Sequence, residues 1–343
     1  MRFAPRISKI KLAILLSVLM SPLCAGEVGS LAPGSRVVMD AHNCYPYDGM
    51  WTDRIERALK TAAPLAIEQD LLWYTEKRSG KSWSIVSHGK PARGTEPTMC
   101  AYFFERIRPM MEQALREGNS GAWPLITLNL DFKSDEPAHH AAVWQLLKEY
   151  EAWICSTERV VDINKVMPLT PKPLLVLTGE ADSQERDFYG SVPVGERLLV
   201  FGAVHVRNKD PMAAPEVLVP GSANNYRRWW NNPWEVVERG GQRKAGAWTE
   251  LDDKRLRQLV AFSHARGLWI RFYTLNGLRD RELKKNGWDK DYNFGSKEKV
   301  LLRWTAAIDA GVDFLATDQY EDVAELIRSH RSAETVPRVP AAE

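Results

Sequence analysis

Four short stretches of the sequence concentrate side chains able to move protons or hold a cation: Asp40 to Asn43, Glu68 to Asp70, Ser87 to Gly89 and Asp131 to Lys133. His42 and His88 supply two imidazoles, groups that titrate close enough to neutrality to give and take protons. Glu68, Asp70 and Asp131 supply three carboxylates. Brought together, these would repel one another strongly unless protonated or bridged by a cation, and an all-oxygen donor set suits one divalent ion, Ca2+ or Mg2+. One base, one acid and a charge-balancing cation are what phosphodiester cleavage requires. The plainer reading has the histidines capping strand ends, Glu68 and Asp70 as a solvated edge pair, and Asp131 joined to Lys133 in a structural ion pair. Against it, Glu68 and Asp70 alternate with Leu65, Ile67 and Leu71, where an unpaired charge costs on the order of several kcal/mol.

The elements that would position these residues follow from hydrophobic periodicity. From Arg36 onward short apolar runs alternate with longer amphipathic ones, the pattern of repeated βα units. Strands are predicted at Val37 to Ala41, Leu65 to Leu71, Trp83 to His88, Leu125 to Phe132, Leu174 to Thr178, Leu198 to Val204, Leu268 to Leu275 and Val312 to Thr317. Helices are predicted at Trp51 to Ala62, Thr98 to Arg116, Ala138 to Trp153, Asp252 to Arg266 and Lys297 to Ala310, with Gly267 and Gly311 as C-terminal stops. The segments after the second and fifth strands are short or irregular for crossovers. Eight strands at this spacing favour a closed (β/α)8 TIM barrel over an open sheet, and neither GxGxxG nor GxxxxGK[ST] occurs. In such a barrel the strands' C-terminal ends carry the chemistry, and alternation turns Glu68, Asp70, Asp131 and Lys133 toward the barrel mouth.

Composition sets the frame. The chain has 343 residues, 44% hydrophobic and 26% charged, which suits a globular protein and excludes disordered, collagen-like and coiled-coil classes. Residues 1–25 have the form of a secretory signal peptide: basic Arg2, Arg6, Lys9 and Lys11, an apolar run from Leu12 to Met20 too short to span a bilayer, Pro22, and a small-residue exit at Ala25. Leu23 before Cys24 is bulkier than a lipid-anchor motif tolerates, which favours ordinary cleavage. Four of the 46 basic residues and none of the 44 acidic ones lie in that segment. The mature chain is therefore slightly acidic, with no basic stripe for nucleic acid. A single barrel domain is expected over 30–330 and a disordered tail over 331–343, in a secreted or periplasmic protein. Cys44, Cys100 and Cys155 allow one internal bridge, Cys44 with Cys100, or three free thiols.

Taken together, HNCYP at 42–46, IEQD at 67–70, SHG at 87–89, DFK at 131–133, YTLN at 273–276 and GVDFLATD at 311–318 resemble the phosphatidylinositol-phospholipase-C-like phosphodiesterase superfamily, to which the glycerophosphodiester phosphodiesterases belong. The resemblance runs in order through nearly the whole mature chain. It implies His42 and His88 as the catalytic pair, Glu68 and Asp70 as a metal-binding E-x-D, Asp131 as a further acidic ligand, and Lys133 as a phosphate contact. Asn43 stands where glycerophosphodiester phosphodiesterases usually carry arginine. It resembles instead the His-Asn pair of phosphoinositide phospholipases C, which implies a place in the metal shell. Sphingomyelinase D enzymes share the histidine and E-x-D arrangement.

His205, Arg271 and Asn276, at or near later strand ends, are further substrate-binding candidates or else packed polar layers of the barrel. His139, His140, His264 and His330 fall in helices or the tail and read as surface. The long segment from Val206 to Ala247 contains YRRWWNNPWE. Trp230 and its neighbours there could bind a headgroup or touch a membrane interface, or pack back onto the rim. The expected activity is metal-dependent cleavage of a phospholipid or glycerophosphodiester. The alternatives are a sphingomyelinase-D-like phospholipase and a non-catalytic lipid- or glycan-binding barrel. No protein partner is implied.

Overall fold

The computed structural model describes residues 31–47, 49–61, 63–89, 91–118, 123–206, 210–286 and 292–335. Eleven strands occur among them: β1 (Val38–Ala41), β2 (Leu65–Thr75), β3 (Ser82–Val86), β4 (Ile126–Phe132), β5 (Thr157–Glu158), β6 (Leu174–Thr178), β7 (Arg197–Leu198), β8 (Phe201–Ala203), β9 (Arg227–Pro233), β10 (Trp269–Tyr273) and β11 (Phe314–Thr317). The helices are α1 (Arg54–Lys60), α2 (Glu105–Arg116), α3 (Pro137–Glu149), α4 (Asp182–Glu185), α5 (Pro215–Leu218), α6 (Glu250–Ala265), α7 (Asp280–Asn286), α8 (Lys297–Ala310) and α9 (Tyr320–Thr335).

Eight strands pair in parallel in the order β1, β2, β4, β6, β8, β9, β10, β11, and β11 returns to β1, closing the expected barrel. Closure leaves no exposed parallel edge and puts every C-terminal strand end at one mouth. Helix boundaries follow local chemistry. Thr249 and Asp252 form a reciprocal capping box at the start of α6. Gly311 ends α8 with φ near +77°, a left-handed conformation that glycine adopts without steric penalty.

Two strand assignments differ from the sequence reading, and they offset each other in the count. Trp83 to His88 is not a barrel strand: β3 runs antiparallel to β2, with Leu71 opposite Val86 and Thr75 opposite Ser82, as an outer hairpin. That explains the short second connection. The missing barrel strand lies in the segment read as a tryptophan loop, where β9 pairs with β10 through five residues from Trp229 opposite Trp269 to Pro233 opposite Tyr273. Trp229, Trp230 and Trp234 are fully buried in the barrel wall and its surroundings. They do not form a membrane-facing surface, and Trp230 lines no substrate pocket. Asn231 reaches Arg271 in the interior, so by alternation Trp230 points outward under the helices.

Other expectations are corrected by packing. Of the two alternatives for the cysteines, the structure has Cys44, Cys100 and Cys155 all as free thiols. His139 and His140 are buried rather than on the surface. His139 sits between the hydroxyls of Ser84 at 2.9 Å and Ser134 at 3.0 Å, and His140 between Asp187 at 2.7 Å and Asp135 at 3.1 Å. Burial pushes the His139 pKa down to about 4. Helix α9 extends to Thr335, into the stretch expected to be disordered. Residues 336–343 and the segment 1–25, where a leader is expected, lie outside the described residues. No helix among the described residues is long and apolar enough to cross a membrane.

Replacing Trp230 by alanine removes a large buried side chain and should lower unfolding free energy by about 3–5 kcal/mol. A urea titration that finds the midpoint unchanged would contradict its place in the wall.

Candidate active site

The barrel mouth is built around three carboxylates. Glu68 and Asp70 share one face of β2, and Asp131 lies beside Asp70 in register on β4. One oxygen from each of Glu68, Asp70 and Asp131 lies within 4.8 Å of the others. Lys133 Nζ stands 2.7 Å from Asp131 and 3.2 Å from Asp70. The Asp131–Lys133 pair therefore forms, but it belongs to the cluster rather than standing apart as a structural bridge.

Each histidine touches one of these acids. His42, immediately after β1, places Nε2 3.6 Å from Glu68 Oε2. Its backbone carbonyl accepts a hydrogen bond from Tyr320 Oη at 2.7 Å. His88, just beyond the β2–β3 hairpin, places Nδ1 2.6 Å from Asp70 Oδ2, with its side chain half exposed. Asn43 has φ near +53°, a left-handed conformation that asparagine tolerates better than most residues. That bend points its backbone N–H at Glu68 Oε2, 2.9 Å away. The Asn43 side chain turns from the carboxylates: its amide nitrogen meets His42 Nδ1 at 2.8 Å and Asp318 Oδ1 at 3.2 Å, and its oxygen accepts from Tyr45 at 2.6 Å. The amide expected in the metal shell is thus engaged here by His42, Asp318 and Tyr45.

Fixed charges explain the electrostatics. Five buried or partly buried carboxylates (Asp40, Glu68, Asp70, Asp131 and Asp318) meet three permanent cations, Arg54, Lys133 and Arg271. Burial raises Asp40 despite Arg271, and burial together with Asp70 pushes Asp131 up to about 6. For Glu68 burial acts the same way, but His42 and Arg271 outweigh it and hold the group below its usual range. Burial also opposes charge on His42, yet Glu68 and Asp318 outweigh it and raise its pKa. The surplus of negative charge, together with oxygen-only donors, is the chemistry a divalent cation satisfies.

The remaining candidates divide. Arg271 is enclosed inside the barrel, bound to Asp40, 3.3 Å from Glu68 and 3.0 Å from Asn231, so it holds the acids instead of reaching a substrate. Asn276 is likewise buried: its amide nitrogen donates to Asp318, and its oxygen accepts from Thr317 Oγ1 at 2.9 Å and the Asp318 N–H at 2.8 Å. His205 pairs with Asp182 at 2.7 Å, apart from the cluster.

Several residues at the site escaped the sequence reading. Asp318 follows β11 and sits 2.8 Å from Arg54 Nη1. Its position at a strand's C-terminal end was the available signal. Tyr273 stacks on His42 with centroids 6.1 Å apart, Tyr292 meets it edge-on at 5.5 Å, and Tyr45 stacks on His88 at 6.2 Å.

No protein-family model matches the chain, and no curated protein matches it. Solved structures similar to it include two from Parabacteroides distasonis. A glycerophosphoryl diester phosphodiesterase is 14% identical, with 86% of this chain and 87% of that one covered and a TM-score of 0.41. A glycerophosphodiester phosphodiesterase is also 14% identical, with 86% and 98% covered and a TM-score of 0.40. An HPPK-DHPS in complex with substrates is 8% identical over 88% of this chain and 50% of that one, with a TM-score of 0.44. Likeness of this degree says nothing about activity, and the closed barrel stands on its own strand pairing.

The buried Arg54–Asp318 pair yields a pH-dependent test. Burial disfavours the Asp318 charge, but Arg54 and His42 outweigh it and hold the carboxyl well below its usual range. Its contribution to stability is therefore full above about pH 4 and lost as pH falls further. Asp318→Asn should destabilise by about 3–5 kcal/mol near neutrality, because it strands a buried arginine. Urea unfolding at pH 7 and pH 3 should show that deficit shrinking in acid; equal deficits would contradict the pairing.

Proposed function

We propose that the protein is a metal-dependent phosphodiesterase that cleaves a phospholipid or glycerophosphodiester, with His42 and His88 as the proton-transferring pair. The observation that carries this reading is the three-carboxylate cluster with a histidine against each of its two buried members. Glu68, Asp70 and Asp131 would hold one divalent cation, Ca2+ or Mg2+, which supplies positive charge to phosphoryl oxygens as negative charge gathers on them.

The chain's own groups do the rest. One imidazole takes a proton from the attacking oxygen and the other returns one to the leaving oxygen, each oriented by the acid beside it. Lys133, held between Asp70 and Asp131, adds a donor on the phosphate side of the cluster. Arg271 keeps Glu68 ionised from below. Aromatic rings stand beside both histidines, Tyr273 and Tyr292 against His42 and Tyr45 against His88. The secretory-type leader at 1–25 supports a secreted or periplasmic setting in which such a diester is met as a small molecule or a lipid headgroup.

The direct test is 31P NMR with phosphatidylinositol, sphingomyelin, lysophospholipids and glycerophosphodiesters, in Ca2+, Mg2+ or chelator. New phosphomonoester or cyclic-phosphate resonances that vanish in chelator are expected, and their shifts identify which bond breaks. An unchanged spectrum under every metal would leave a non-catalytic barrel. For an active substrate, His42→Ala and His88→Ala should each lower kcat by about 10²- to 10⁴-fold. In thermal unfolding, the preferred cation at about 100 times its Kd should add ~2.7 kcal/mol of stability, an increment absent from Asp70→Asn.

A further inference from the structure

Five arginines are buried among the described residues, and four of them meet a carboxylate: Arg54 pairs with Asp318, Arg227 with Glu185, Arg271 with Asp40 and Arg303 with Glu238. Arg228, 7% exposed, is the exception. Its Nη2 donates to the Met167 carbonyl at 2.8 Å and reaches the Asn225 carbonyl at 3.5 Å, its Nε is enclosed without a partner, and no carboxylate of the described residues touches it. Burial, with nothing opposing it, brings the guanidinium pKa down to about 10, so the group is still charged at neutral pH. A buried charge held by carbonyls alone is costly until a counter-ion reaches it.

The surroundings show what that counter-ion would be attached to. Arg228 shares the outer face of β9 with Trp230 and lines a cleft of about 650 Å3 formed by the segments leading into β1, β6, β9 and β10. These are strand N-terminal ends, so the cleft lies at the far end of the barrel from the carboxylate mouth. Its other walls include Leu31, Met167, Leu169 and Trp269, and Arg228 is the one charged side chain among the described residues that line it. The Trp269 indole N–H is already spent on the Leu31 carbonyl at 3.0 Å. Val166, 50% exposed, also lines the cleft and leaves apolar surface open to solvent. A volume of this order is that of a small-molecule site, apolar with one polar group to orient the ligand.

One cation in an apolar cleft calls for one negative charge on an apolar body. A carboxylate suits the planar guanidinium. A phosphomonoester would bring further negative charge with no second cation to meet it. We propose that the cleft binds the carboxylate of a medium-chain fatty acid, with its headgroup at Arg228 and its chain against Leu31, Leu169 and Trp269. The site is separate from the barrel mouth and stands or falls independently of the phosphodiesterase reading.

The experiment is calorimetric titration of the full chain with decanoate below its micelle concentration, with decan-1-ol and decyltrimethylammonium as the neutral and cationic counterparts. Wild type is expected to bind decanoate about 10- to 100-fold more tightly than decan-1-ol, the worth of a hydrogen bond to a charged group, and to bind the cation more weakly still. Arg228→Met should abolish the preference for decanoate over decan-1-ol. Val166→Glu, which leaves Arg228 in place and adds a negative charge to the cleft, should weaken decanoate binding by a similar factor and decides the matter if Arg228→Met does not fold. Asp70→Asn, at the opposite end of the barrel, should bind decanoate as wild type does. Wild type that fails to bind decanoate, equal affinity for decan-1-ol, undiminished decanoate binding in whichever cleft variant folds, or its loss in Asp70→Asn overturns the proposal. None of these titrations needs turnover, so decanoate binding with silent 31P spectra would count against the phosphodiesterase reading alone.

Discussion

The guanidinium of Arg271, sealed inside the barrel, lies between Asp40 of β1, Glu68 of β2 and Asn231 of β9. A buried carboxylate without a partner is expensive enough that it would bind a proton or force the chain apart. His42 and Arg271 together hold Glu68 below the usual carboxylate range, with one oxygen facing the arginine and the other turned up to the Asn43 N–H and His42. The upper layer is thus stacked on the lower one. Strand closure brings β1, β2, β9 and β10 around one cation, the cation fixes a carboxylate, and the carboxylate fixes the loop that carries His42.

That loop is held from other directions too. Arg54 donates to the Asn43 carbonyl at 2.7 Å and pairs with Asp318, while Tyr320 holds the His42 carbonyl. Groups from α1, from the start of α9 and from the residue after β11 therefore converge on two consecutive residues. His88 has a different setting: half exposed, reached through a hairpin, and tied by Asp70 and Tyr45. The mouth combines a rigid, buried half with a more open one.

Much of this was legible from residue types. Alternation along β2 and β4 placed Glu68, Asp70 and Asp131 on the inner face, and the strand spacing indicated a closed barrel. Two strands were misread for a shared reason, that pairing partners are non-local. β3 has the composition of a barrel strand, and only its antiparallel register with β2 shows that it lies outside the ring. β9 hides behind Arg227, Arg228, Asn231 and Asn232, because the polar groups that disguise it are satisfied by distant partners: Glu185 for Arg227, the Met167 carbonyl for Arg228, and Arg271 for Asn231. His139 and His140 were misjudged similarly, since serines and aspartates on other elements solvate them inside the protein. Tyr45 stood inside the HNCYP stretch with no part assigned to it, because its contacts with Asn43 and His88 arise only once β1 and the β2–β3 hairpin meet in space.

The hairpin position of β3 has a consequence for how such a pocket can change. A strand within the ring has its length and register fixed by two neighbours, and altering it would break closure. Among the described residues β3 pairs with β2 alone. Insertions or deletions in the segment carrying His88 leave all eight ring strands untouched. The segment that carries His88 can therefore change in length while the strands that carry Glu68, Asp70 and Asp131 keep their register.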